Sequence, residues 1–118
     1  MNFIILAAGI GSRLRPLTEK VPKCCIQINN LSIINNLLSQ IRQNFLSRKI
    51  VIVTGYKNEV LESHVDNTAS DITFVHNKKF NTTNNMFSAY LGLQNIDFNI
   101  DTVIVNADCI YSDQIFLL

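Results

Sequence analysis

The sequence contains no apolar run approaching the ~18 residues of a membrane span, and no basic segment leads into an apolar one at its start. Neither a membrane span nor a signal peptide is therefore expected. Cysteine is scarce: Cys24, Cys25 and Cys109 are odd in number, two are adjacent, and no C-x-x-C pair occurs. Neither a disulfide framework nor a zinc site follows, and a reduced, cytoplasmic chain is the expectation. Surplus charge is missing too. A net charge of +1 argues against a general polyanion binder, so no nucleic-acid or membrane partner is expected. Any phosphate affinity has to come from local clustering of cations. No repeat, linker or low-complexity tract divides the 118 residues, which make one domain at most.

What is present is an alternation of strand and helix patterns. Phe3 to Leu6 has the length and β-branched content of a buried strand, and it breaks at Ala7-Ala8-Gly9 into a loop carrying Arg13, Arg15, Lys20 and Lys23. Cys24 to Ile28 reads as an irregular strand or an extended connection, and Asn29-Asn30 as a turn. Ser32 is placed to cap a helix whose apolar face is Ile33, Ile34, Leu37, Leu38, Ile41, Phe45 and Leu46. Ile50 to Thr54 is a run of β-branched residues without polar alternation, the mark of a strand covered on both faces. Asn58 is the expected cap of a second helix over about 59–66, with His64 on its surface. Asp71 to His76 reads as a strand, and Asn77 to Asn85 as a long polar connector. Met86, Phe87, Tyr90, Leu91 and Leu93 predict a third helix, Asp101 to Val105 a final strand, and Asp113 to Leu118 the start of one more helix.

Such alternation predicts an α/β fold: three layers, α/β/α, around a mostly parallel sheet of the Rossmann-like kind. Ligands of these sheets sit outside the carboxyl ends of the strands. The loops after Leu6, Thr54, His76 and Val105 should therefore share one edge.

The glycine loop narrows the chemistry. Gly9-Ile10-Gly11 starts like a dinucleotide fingerprint, but Leu14 occupies the third glycine position and no acidic residue ends the next strand. It is not a phosphate loop of the Gly-Lys-Ser/Thr kind either. The joint pattern is more specific: Leu-Ala-Ala-Gly-x-Gly-Ser-Arg-Leu-x-Pro-Leu-Thr from Leu6, followed by Pro22-Lys23. With Val53-Thr54-Gly55-Tyr56 and Asn106-Ala107-Asp108, it resembles the nucleotidyltransferases that join a nucleoside triphosphate to a phosphorylated small molecule, the sugar-phosphate and phosphocholine cytidylyltransferase-like enzymes. Asn84-Asn85-Met86-Phe87-Ser88-Ala89-Tyr90 is similar to the Asn-Asn-x-Tyr-Ser-x-Tyr segment of the phosphocholine branch.

The resemblance implies roles. Arg13 would neutralise the β- and γ-phosphates, and Lys23 the α-phosphate and attacking oxygen, as the catalytic cations. Leu6, Ala7, Ala8, Gly9, Gly11, Ser12 and Arg13 would form the nucleotide-binding loop, joined by Asn84 and Asn85, either of which is also suited to a plain helix cap. Asp108 would bind Mg²⁺ as the cofactor; the other reading of that residue is a helix cap. The partners implied are a nucleoside triphosphate, CTP favoured, and a small phosphorylated acceptor such as phosphocholine, with a sugar 1-phosphate as the alternative. The acceptor pocket and a second metal-binding aspartate would lie in a further half. Residues 1–118 are thus expected to be the nucleotide-binding portion, completed by a C-terminal half or by a homodimer. The alternative of another class is a non-catalytic nucleotide-binding or regulatory module.

Overall fold

The computed structural model of the chain describes residues 1–116. Strands β1 (Asn2–Ala7), β4 (Lys49–Thr54), β5 (Ile72–His76) and β6 (Thr102–Asn106) form one sheet in the order β5-β4-β1-β6. All of its pairings are parallel. The register aligns Ala7 with Thr54, Thr54 with His76, and Leu6 with Asn106, so the expected loops do leave from one edge. β1 and β4 read as unbroken apolar runs because both of their faces are covered. Phe3, Ile5, Ile50 and Ile52 face one helical layer, while Ile4, Val51 and Val53 face the other.

Helix α1 (Ile33–Asn44) starts where Ser32 accepts the Asn35 amide at 3.1 Å, and it buries Ile34, Leu37, Leu38 and Ile41 against the first face. It stops short of the expected Leu46. Phe45 turns to extended backbone to stack edge-on with Phe3, ring centroids 4.9 Å apart, and Leu46 is left in solvent. Helix α2 (Asn58–His64) lies on the same face through Leu61. Its cap position is Lys57, with φ of 50°, and Asn58 is its first residue instead of its cap. His64 is half-buried, not a free surface side chain: its Nε2 lies 2.7 Å from Ser32 Oγ and 3.2 Å from Asn35 Nδ2, tying α2 to the start of α1.

Helix α3 (Asn85–Leu93) covers the opposite face. The helix predicted from Met86, Phe87, Tyr90, Leu91 and Leu93 is there, yet Met86 and Tyr90 are exposed, and the buried positions are Ser88 and Gly92. A Cβ on Gly92 would lie 2.6 Å from Ile4 Cγ2, so glycine lets the helix backbone come down onto the sheet. The segment after Lys23 is a 3₁₀ turn over Lys23–Cys25, followed by a hairpin of β2 (Gln27–Ile28) and β3 (Leu31–Ser32). Asn29 and Asn30 make its turn with φ of 54° and 66°, the left-handed pair that a two-residue hairpin needs. At the other end the chain forms a 3₁₀ turn over Asp113–Phe116; the expected helix to Leu118 runs outside the described residues.

Candidate functional site

Strand order places the site. The chain runs outward from β1 to β4 and β5, and then α3 carries it back across the sheet to β6 on the other side of β1. The reversal lies between β1 and β6, where loops from the two strands part and leave a crevice. An open cleft of about 110 Å³ occupies this point, lined by Leu6, Ala7, Gly9, Gly11, Lys23, Cys24, Asn85, Asn106, Ala107 and Asp108.

The glycine loop is folded back on itself and stitched. Gly11 takes φ of 66°, and a Cβ there would crowd Thr18 Cγ2 at 3.0 Å and Lys23 Cβ at 3.1 Å. The buried Thr18 hydroxyl donates to the Gly11 carbonyl at 2.8 Å, while the Tyr56 hydroxyl donates to the Thr18 carbonyl at 2.7 Å. Two backbone amides hold the loop to its neighbours, Tyr56 donating to the Ala8 carbonyl and Ala107 to the Leu6 carbonyl. That fold-back brings Lys23 to the strand edge.

There Lys23 Nζ lies 3.0 Å from Asp108 Oδ2, with 36% and 44% of the two side chains exposed. The Cys109 thiol donates to the other oxygen of Asp108 at 3.4 Å. Asp108 is therefore not the partnerless carboxylate that its sequence position suggests. Partial burial pushes its carboxyl up, but the bonds from Lys23 and Cys109 outweigh this and leave it below the usual carboxylate range. Cys24, on the cleft wall, is held as a thiol: its hydrogen bond with Cys25 and its burial both push its pKa up.

Of the other residues singled out by the sequence, Ala8 and Ser12 belong to the loop but not to the cleft lining. Arg13 sits on a 3₁₀ turn, Ser12–Leu14, exposed and outside the lining. The two asparagines separate. Asn84 accepts the Phe87 amide at 3.3 Å as the cap of α3, whereas Asn85 faces the cleft. Asn106 is a lining residue that the sequence reading passed over. The available signal was its place at the end of β6, opposite Leu6. His76 and Tyr56 are not brought to the cleft. Among the described residues no group of three or more His, Cys, Asp or Glu side chains is placed to hold a metal ion.

A glycine loop of this form, with a lysine and an aspartate at a parallel-sheet switch point, has counterparts. The sequence matches the family model described as nucleotidyl transferase over residues 2–116. The chain belongs to the nucleotidyl transferase family. It is 35% identical to a CTP:phosphoglutamine cytidylyltransferase of Campylobacter jejuni, over 94% of this chain and 45% of that protein. It is likewise 35% identical to a choline-phosphate cytidylyltransferase of Haemophilus influenzae, over 99% of this chain and 48% of that protein. Among solved structures, a CTP:phosphocholine cytidylyltransferase from Streptococcus pneumoniae superposes with a TM-score of 0.76 at 32% identity, covering 91% of this chain and 44% of that one. The chain spans about half the length of the curated relatives it matches. No helix among the described residues is long and apolar enough to cross a membrane.

Proposed function

We propose that this chain is the nucleotide-holding portion of a cytidylyltransferase that moves CMP from CTP to a small phosphorylated acceptor. The observation that carries this reading is the Lys23–Asp108 pair closing a glycine-loop cleft at the switch point. In the reaction, an oxygen of the acceptor phosphate attacks the α-phosphorus in line, and the bond to pyrophosphate breaks. Two anions have to meet, so fixed positive charge near the α-phosphate is the main requirement. In this reading Lys23 binds the α-phosphate and the attacking oxygen. Arg13, free in solvent on its turn, is suited to fold over the β- and γ-phosphates. Gly9 and Gly11 offer backbone N–H groups without a side chain in the way. The Asn85 amide carries both a donor and an acceptor for a base edge or an acceptor group.

The donor set fits Mg²⁺ in a restricted sense. Asp108 supplies a single carboxylate, and Mg²⁺ is commonly held by one or two carboxylates together with substrate phosphates. Asp108 alone would thus hold the metal weakly and the nucleotide phosphates would complete its binding, the metal supplying neutralisation of the triphosphate's charge. Three free thiols suit a reduced, cytoplasmic setting.

The relatives' greater length supports a second half that bears the acceptor pocket. β6 is paired only with β1 among the described residues, and Val103, Ile104 and Ile115 are exposed beside an apolar groove of about 300 Å³. A C-terminal half or a second copy of the chain would cover that face.

The test is pyrophosphate release with a panel of nucleotides and phosphorylated acceptors, run beside Asp108→Ala, with calorimetry of nucleotide binding. Preferential Mg·CTP binding is expected. Tight Mg·UTP or Mg·dTTP binding with none for CTP overturns the nucleotide assignment. Binding without turnover by the folded chain favours the non-catalytic module.

A further inference from the structure

Asn77 lies outside the cleft and is 1% exposed at the end of β5. Its backbone N–H donates to the Thr54 carbonyl at 2.7 Å, fixing it to β4. Both amide hydrogens and the oxygen of its side chain are engaged. One amide hydrogen goes to Thr83 Oγ1 and the other to Ser88 Oγ, both at 3.1 Å, while Oδ1 accepts the Lys79 backbone N–H at 2.9 Å. These contacts bracket Asn85: Thr83 lies two residues before it, and the buried Ser88 three residues after, in the first turn of α3.

The rest of the segment is held by local turns on the Lys79 carbonyl and by one aromatic contact. Lys78, Lys79, Asn81 and Thr82 are exposed, and the connector's apolar anchor is the half-buried Phe80, which packs on Tyr56 beside Gly55, on the far side of the segment from α3 in sequence. The chemistry also dictates an amide. The Thr83 hydroxyl spends its hydrogen on the Lys79 carbonyl at 2.7 Å, so it can only accept from residue 77. A carboxylate there would face a lone pair with a lone pair. Ser88 can rotate its hydroxyl to adapt, but Thr83 cannot.

We propose that Asn77 is a positioning residue of the nucleotide site, acting through Asn85: it ties the start of α3 to the sheet so that the Asn85 amide faces the cleft. What Asn85 contacts there rests on the cytidylyltransferase reading; the coupling of Asn77 to Asn85 does not.

The experiment uses the full chain with Asn77→Asp, Ser88→Ala, Asn85→Ala and the double variant Asn77→Asp/Asn85→Ala. Nuclear magnetic resonance follows the Asn85 side-chain amide and the backbone amides of 84–88, with hydrogen exchange. Calorimetry follows Mg·CTP. Asn77→Asp is expected to shift those resonances and to lower protection at 84–88, with β1 and β4 unchanged. It should also weaken Mg·CTP by about tenfold, the size of one buried hydrogen bond lost. The double variant should bind no worse than Asn85→Ala alone, because the two act as a unit. A merely structural role would instead give losses that add. Ser88→Ala removes one of the two acceptors and should move the same amides less, which decides the matter if Asn77→Asp does not fold. Unchanged amides at 84–88, or additive losses, overturn the proposal. If the wild type fails to bind Mg·CTP, the cytidylyltransferase reading fails, and the resonance data alone decide whether Asn77 sets Asn85.

Discussion

Lys23 and Asp108 neutralise each other's charge in the cleft, so replacing Lys23 by glutamine should change the binding of a metal ion and of a nucleotide in opposite directions. The ammonium and carboxylate are 3.0 Å apart and each more than a third exposed. Coulomb attraction at that separation is about 1.4 kcal/mol in bulk water and several-fold larger at lower effective dielectric. Measured exposed pairs deliver less, because side-chain ordering and salt screening oppose the attraction, and about 1 kcal/mol is a fair upper value here. A divalent cation approaching Asp108 has to displace Lys23 and overcome that amount. Lys23→Gln should therefore tighten binding of Mn²⁺ alone by up to about fivefold, while weakening Mg·CTP through loss of the phosphate contact. Paramagnetic broadening of the amides of 106–109 during a Mn²⁺ titration reads the first effect, even at millimolar affinity, and calorimetry reads the second. The gain for Mn²⁺ should shrink as salt is raised, since the pair it replaces is screened. If Lys23→Gln leaves Mn²⁺ binding unchanged or weaker, the ion pair does not compete with the metal and the reasoning fails.

Gly92→Ala sets two effects against each other. Alanine improves helix propensity by about 1 kcal/mol, but its Cβ would sit 2.6 Å from Ile4 Cγ2 and 3.2 Å from Val53 Cγ2, both on fully buried side chains. Overpacking of that kind costs about 1–3 kcal/mol, so urea denaturation should show a lower midpoint at unchanged slope; a higher midpoint would mean α3 can lift off without cost. Asp71 is wedged between Arg42 (2.9 Å) and Arg48 (2.8 Å), and the hydrogen bond from Arg42, helped by Arg48, holds its carboxyl down at about 2 against an ordinary 3.8. Stability from a depressed carboxyl is present above the ordinary value and disappears as pH falls through the depressed one. Asp71 should therefore contribute about 2 kcal/mol that vanishes between about pH 4 and pH 2, and Asp71→Asn should flatten the stability curve in that window. Gly11→Ala would force a left-handed alanine against Thr18 and Lys23, so it should lose about 1–2 kcal/mol of stability and Mg·CTP affinity together.

The parallel sheet was legible because residues 3–7 in β1 and 50–53 in β4 are unbroken apolar runs without polar alternation, the pattern of a strand buried on both faces. Ser32 as a cap and Asn29-Asn30 as a turn were equally direct, since each works through its own backbone. Placing the candidate loops on one edge needed only the alternation of elements. Several of the misread features depend on partners distant in the chain. Nothing local shows that Phe45 would leave α1 to meet Phe3, or that Asp108 would find Lys23. Periodicity located α3 but not its contact face, because close backbone packing needs small residues where a hydrophobic count looks for large ones. Asn84 and Asn85 could not be told apart by type; one extra residue of helix phase makes one a cap and the other a cleft wall.

Lys23 and Asp108 are separated by 85 positions, and β6 is the last strand of the described sheet. Their meeting requires closure of nearly the whole chain, the entropically slowest kind of contact to make. An emerging polypeptide that had folded β1, α1, β4 and α2 would display the glycine loop without its carboxylate. The cleft comes into being only when α3 has crossed the sheet and β6 has docked, so a ligand held by both residues binds only the finished arrangement and stabilises it in proportion to occupancy. The nucleotide site is in this sense a latch on the final stage of folding.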